Sequence, residues 1–221
     1  MFHARSPAAL LLAWIAAAAL AVPAWAQHAN HQVDFSDTQK WSRVFDNPLR
    51  DEWQKPVQVI RALRLKPTSR VADIGSGTGY FAIRIARMVP QGRVFGVDTE
   101  PAMVKFLAER GKREGLANLT SIEGAPEDPK LPGAVDVMLM VDVYHHIGDR
   151  VGYLRAVRRY LEPRGRLAII DHVDTPGSVL KDERTAPRRI KAELKRAGYE
   201  LAAEHSFLPE QYFLIFKPAA R

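Results

Sequence analysis

Apolar positions along the chain change period repeatedly, and each change marks an element. Residues 70–74 (RVADI) form a short branched run that predicts a buried strand, and residues 80–89 follow with Phe81, Ile85 and Met88 at helical spacing. Upstream, Trp41, Phe45, Leu49 and Trp53 recur every four residues, a helical apolar stripe interrupted only at Pro48. Residues 57–65 continue as a helix that Pro67 ends. Beyond the first helix after the organising strand, residues 93–97 read as a second strand ending at Asp98. Residues 101–114 then form a helix opened by Pro101, with Ala102, Phe106 and Leu107 facing inward. A short third strand covers 119–123, and the strongly apolar run VDVMLMVDV at 135–143 predicts a central fourth strand. A helix at 152–160, a turn at 163–165 and a strand at 166–170 lead to Asp171. A last helix runs from about Pro187 until Gly198 stops it. Strands 199–207 and 211–216 close the pattern, and the Leu208-Pro209-Glu210 link is short enough to pair them antiparallel. Strands alternating with helices and ending in a hairpin predict an α/β fold: a doubly wound three-layer sandwich on a seven-stranded, mostly parallel sheet whose last strand is antiparallel.

The first 26 residues break this pattern. Arg5 precedes a nearly pure Ala/Leu run at 8–22, Pro23 breaks it, and Ala24-Trp25-Ala26 has the small-x-small form of a cleavage site. The expectation is an export signal, a mature chain from Gln27 and a periplasmic location, with no stable membrane span after cleavage, since the apolar run is shorter than the roughly 20 residues a span needs. Residues 27–40 are polar and predict a flexible lead-in in which His28 and His31 carry no role. Residues 41–221 predict one domain with a helical cap at 41–66. The chain lacks cysteine altogether, which excludes disulfides, thiolate metal sites and a cysteine nucleophile. Its formal charge is +7, but Lys and Arg are scattered along the predicted helices, so a solvated helix face explains them more simply than a nucleic-acid partner.

The candidate chemistry starts at Gly75, Gly77 and Gly79, between the first strand and its helix. Three missing Cβ atoms let the backbone turn tightly against a bulky ligand, and the helix N-terminus aims free N–H groups at it. The dinucleotide fingerprint Gly-x-Gly-x-x-Gly needs glycine at position 80, where Tyr80 stands, which weakens a nicotinamide oxidoreductase. Instead Asp73 lies two residues before the first glycine, suiting a cationic ligand and repelling a phosphate. Asp98 follows Gly79 by 19 residues, at the end of strand two, where a carboxylate can accept both hydroxyls of a ribose.

This Asp-x-Gly-x-Gly-x-Gly pattern resembles the first motif of class I S-adenosylmethionine-dependent methyltransferases. The Leu161–Leu167 stretch (LEPRGRL) resembles the L-x-P-G-G-x-L turn of the small-molecule type related to ubiquinone/menaquinone biosynthesis, with Arg164 in place of a glycine. The resemblance covers nearly all of residues 41–217. It implies S-adenosylmethionine as cofactor, held by Asp73, Gly75, Gly77, Gly79, Asp98 and, at the adenine, Asp128 or Glu127. It also implies a small-molecule methyl acceptor, whose identity the fold leaves open. An arsenite-type acceptor is disfavoured by the lack of cysteine.

Methyl transfer is an in-line displacement, so positioning dominates and a base is needed only when the nucleophile carries a proton. The candidates follow strand four: Asp142 and Tyr144 lining the cleft, and His145, rather than its neighbour His146, as base. Trp53, Gln54 and Lys55 are placed near the ligand by the cap. A sharper variant puts Mg²⁺ on Asp142 and Asp171, as in catechol methyltransferases, although those carry Asp-Asn where this chain has Asp171-His172. The alternative from another class is an exported S-adenosylmethionine-binding or nucleoside-binding protein without turnover.

Overall fold

Strands β1 (Arg70–Ile74), β2 (Arg93–Asp98), β3 (Leu119–Glu123), β4 (Val135–Val141), β5 (Leu161–His172), β6 (Tyr199–His205) and β7 (Gln211–Pro218) form one sheet in the order 3-2-1-4-5-7-6. Only β7 runs against its neighbours, β5 and β6. The computed structural model describes residues 34–172 and 186–220, so the expectations for the export signal and for His28 and His31 lie outside the described residues.

Among the described residues seven α-helices accompany the sheet: α1 (Thr38–Phe45), α2 (Arg50–Gln54), α3 (Pro56–Ala62), α4 (Tyr80–Met88), α5 (Pro101–Arg113), α6 (Arg150–Val157) and α7 (Pro187–Arg196). On one face Val59, Phe81, Ile85 and Leu107, from α3, α4 and α5, pack on Val71, Val94, Leu139 and Ile170. On the other, Leu154 and Val157 of α6 and Ile190 and Leu194 of α7 pack on Met138, Met140, Ile169 and Phe216. Covered on both faces, β4 is buried at every position but Asp136, which is why it reads as an unbroken apolar run. Among the described residues no helix is long and apolar enough to cross a membrane.

The structure departs from the sequence pattern at several boundaries. The apolar stripe fails at Leu49, which is 64% exposed, because the turn at Pro48 starts α2 on a new axis while Trp41 and Phe45 stay stacked at 5.1 Å. Met88 likewise faces solvent, and α5 buries Met103 and Leu107 rather than Ala102 and Phe106. The cap begins before residue 41: Asp37 caps α1 by accepting from the Lys40 amide at 2.9 Å, and Phe35 packs on Trp41. Residues 163–165 are no free turn. Val135 pairs with Leu161 and Val137 with Arg166, so 162–165 bulge from a strand that runs on to His172.

Candidate active site

The chain winds outward from β1 to β3 and returns to β4, so a crevice opens at the carboxyl ends of β1 and β4, where such sheets bind ligands. On its β1 side the glycine turn takes left-handed backbone torsions at all three glycines, with φ of +67° at Gly75, +51° at Gly77 and +93° at Gly79. A Cβ on Gly75 would stand 2.2 Å from Val143 Cγ2, so space as well as torsion demands glycine there. The turn is fixed from β2: Gly75 and Ser76 donate their amides to the Val97 carbonyl at 2.8 and 2.9 Å, and Gly77 donates to Asp98 Oδ2 at 2.8 Å. Asp98 Oδ1 accepts from the Glu100 amide at 3.0 Å. Burial pushes the Asp98 carboxyl up, against the backbone amides that hold it down.

Asp73 lies beneath this turn, 3% exposed. Burial raises its carboxyl to about 7, opposed by a hydrogen bond from the Ala82 amide and by the charge of Arg50. Ser76 Oγ and Thr78 Oγ1 are buried in the same loop without a hydrogen-bond partner among the described residues. A nucleoside carrying a cationic amino-acid tail answers both features, since it brings hydroxyls, polar nitrogens and positive charge to an acid-lined turn. The residues present therefore fit S-adenosylmethionine.

Asp128 is not brought to this group. It accepts from Arg159 Nη2 at 2.6 Å, Tyr160 Oη at 2.8 Å and the Lys130 amide at 2.9 Å, and the last of these leads in holding its carboxyl below the usual range. Glu127 faces solvent.

Across the crevice, β4 is followed by Asp142, a non-glycine residue at φ +56° that turns the chain into the one-turn 3-10 segment Tyr144–His146. The Asp142 carboxylate accepts from Gln211 Nε2 at 2.6 Å and lies 3.4 Å from His172 Nε2 and 3.8 Å from Arg50 Nη2. Gln211 in turn accepts from Gln54, whose own oxygen receives Arg50 at 3.0 and 3.1 Å. The Arg50 guanidinium stacks 4.0 Å over the Tyr80 ring. The cap is thus held over the crevice from both sides, and Phe45 lies in contact range of a Cβ placed on Gly77. Of the three cap residues expected near the ligand, Gln54 is buried at this junction and Trp53 reaches the His172 ring at 6.1 Å. Lys55 is directed away, donating to the Phe207 carbonyl at 2.7 Å.

His145 and Tyr144 separate. His145 Nδ1 stands 3.0 Å from both oxygens of Asp171, a residue with no exposed surface that also accepts from the His172 amide at 2.8 Å. Tyr144 does not line the cleft: it is fully buried in the α6/α7 core and donates its hydroxyl to Glu193 Oε2 at 2.6 Å. Burial, that bond and the Glu193 charge raise its phenol above the ordinary range. The Mg²⁺ variant fits poorly. Among the described residues no three His, Cys, Asp or Glu converge on a metal position, and Asp171 spends its oxygens on His145 and on two backbone amides.

Arg50, Gln211 and Glu193 were not singled out by the sequence pattern. Gln54 and Gln211 are 157 positions apart and Gln211 and Asp142 are 69 apart, so no local spacing could announce them. The Asp171–His145 contact had a partial signal, an acid at the end of the strand beside β4.

Comparison with known proteins agrees with the fold. A demethylmenaquinone methyltransferase of Listeria welshimeri is 29% identical over 134 residues, 60% of this chain and 56% of that protein. A trans-aconitate 2-methyltransferase of Rhodopseudomonas palustris is 30% identical over 138 residues, 61% of this chain and 52% of that protein. The chain thus spans little more than half the length of these relatives. In fold it is similar to a SAM-dependent methyltransferase from Aquifex aeolicus, with a TM-score of 0.74 at 24% identity over 84% of this chain and 98% of the other. Residues 65–207 match the methyltransferase domain family as a unit, running from the end of the cap to the β6–β7 link, and the chain belongs to that family.

Proposed function

We propose that the protein transfers a methyl group from S-adenosylmethionine to a small-molecule acceptor. The observation that carries this is the left-handed glycine turn bonded through Gly77 to Asp98, with Asp73 buried beneath it. In this reading Asp98 takes the ribose hydroxyls, Asp73 faces the positive end of the cofactor, and the amides at the start of α4 close around it. S-adenosylmethionine supplies a methyl group on a sulfonium, ready for displacement.

The chain's own residues then position the acceptor and hold its proton. A carboxylate only accepts, so Asp171 keeps the His145 proton on Nδ1 and leaves Nε2 as the basic nitrogen. His145 is the base for an acceptor O–H, N–H or acidic C–H, and Asp171 orients it. Asp142, strained at the end of β4, lines the acceptor side with His172. Menaquinol-like and carboxylic-acid acceptors head the screen, because the named relatives act on demethylmenaquinone and trans-aconitate.

The apolar run at 8–22 with its Ala24-Trp25-Ala26 site supports export to the periplasm, which N-terminal sequencing of secreted protein checks by a start near Gln27. For the methyl-transfer reading the test is calorimetric binding of S-adenosylmethionine, with Asp98→Asn alongside. Binding that the substitution weakens, followed by methylation of a screened acceptor, is the expected result. Binding without turnover across the screen favours the non-catalytic alternative, and no binding refutes both.

A further inference from the structure

The face of the molecule formed by α6 and α7 carries a second concavity, an open groove of about 460 Å³. Arg150 and Arg155 of α6 line it, with Arg189 and Arg196 of α7. Two carboxylates share the groove, Asp149 and Glu193. Asp149 is drawn back to cap α6, accepting from the Gly152 amide at 2.9 Å. Glu193 already receives the Tyr144 hydroxyl at 2.6 Å and Arg189 Nε at 2.9 Å, and lies 4.0 Å from Arg150. Positive charge therefore exceeds negative in one small space.

Three of the guanidinium groups are also tethered. Arg150 donates to the Tyr144 and His145 carbonyls at 3.3 and 3.4 Å, Arg189 is held by Glu193, and Arg155 donates to the Arg196 carbonyl at 3.1 Å. Among the described residues no ion pair reaches Arg155 or Arg196. A solvated basic face spreads its charges apart on mobile stems, whereas here four line one groove and three already carry hydrogen bonds. Planar forks held in this way match the oxygen pairs of carboxylates and phosphates.

We propose that the α6/α7 groove binds a small multivalent oxyanion, a di- or tricarboxylate or a phosphate, and that its occupancy is transmitted to the His145 turn through Arg150. The binding half stands apart from the methyl-transfer reading; the coupling half deepens it, because Arg150 is bonded to the carbonyl of the proposed base.

The test is a calorimetric titration of the full chain at low salt with citrate and, separately, with inorganic phosphate. At least one binds in the submillimolar range and weakens as salt is added. Citrate binding alone identifies a carboxylate site, phosphate binding alone a phosphate site. The Arg189→Gln/Arg196→Gln variant, altered only at exposed positions, loses about tenfold or more in affinity, while Lys112→Gln/Arg113→Gln, the same charge removed from α5, loses nothing. Flat titrations with both anions, or equal loss in the α5 variant, overturn the site. The His145 ring resonances shift during the titration; binding that leaves them unmoved overturns the coupling. S-adenosylhomocysteine binding measured on the same variants stays intact, which separates this outcome from a failure of the methyl-transfer reading.

Discussion

Asp73→Asn isolates the electrostatics of the glycine turn. The Asp73 carboxyl is raised from 3.8 to about 7, with burial the leading cause. The folded value lies above the unfolded one, so the native state keeps a proton that the unfolded chain has released. The stabilisation this gives is complete below about pH 3.8 and is lost as the pH rises through about 7. A separation of that size corresponds to about 4 kcal/mol across the window. Asparagine keeps the shape and an acceptor for the Ala82 amide but cannot titrate. Urea unfolding of both proteins at a series of pH values across that window therefore gives curves that diverge, the wild type losing up to about 4 kcal/mol relative to the variant as pH rises. Cofactor binding adds a second reading. A cationic ligand favours the ionised carboxyl, so binding near pH 7 releases protons from the wild type, measured by calorimetry in buffers of different ionisation heat, and fewer or none from the variant. Parallel stability curves together with equal proton release would refute the assignment of a buried, proton-holding acid to this turn.

Other expectations test the remaining parts of the site. His145→Ala is expected to lower turnover by about 10² to 10⁴ with cofactor affinity kept, and Asp171→Asn to lower the His145 pKa read by NMR, since a carboxylate favours the imidazolium and an amide does not. Gly75→Ala costs about 2–4 kcal/mol by urea unfolding, combining left-handed strain with the Val143 overlap; Gly115→Ala, also left-handed at φ +67° but with open space around it, costs only about 1–2 kcal/mol. Gln211→Leu leaves Gln54 and Asp142 short of a partner and destabilises by about 1–3 kcal/mol, with increased proteolysis in the cap as its signature. Turnover unchanged by EDTA is the expectation from Asp171 being committed to His145, and its loss revives the Mg²⁺ variant.

The sheet, its antiparallel last strand and the glycine turn were legible because their signals are local: RVADI running into three spaced glycines, an acid at the end of β2, a short link before β7. What escaped was set by contacts across the chain. Leu49 fits the helical stripe by spacing, yet Pro48 reorients the axis and exposes it. Tyr144 sits beside His145 in sequence, but a 3-10 turn sends one side chain into the core and the other to Asp171. Asp128 looked like an adenine acid from its loop, and Arg159 and Tyr160, 31 and 32 positions on, bond to its oxygens. Gln54 was placed near the ligand by the cap, but its partners Arg50 and Gln211 had no sequence signal at all, since polar residues in separate elements acquire meaning only when folding brings them together.

The junction of Gln54, Gln211 and Asp142 has a temporal side. Gln211 opens β7, the last strand in the sequence, which inserts between β5 and β6. The cap comes from the first described helices, so it stays unanchored on this side until the final strand has been threaded into the sheet. A chain emerging residue by residue can hold the cap through Arg50 on Tyr80 before the Gln54–Gln211 bond exists, and this second tether waits for β7. The last anchoring of the cap is therefore coupled to the placement of the last strand.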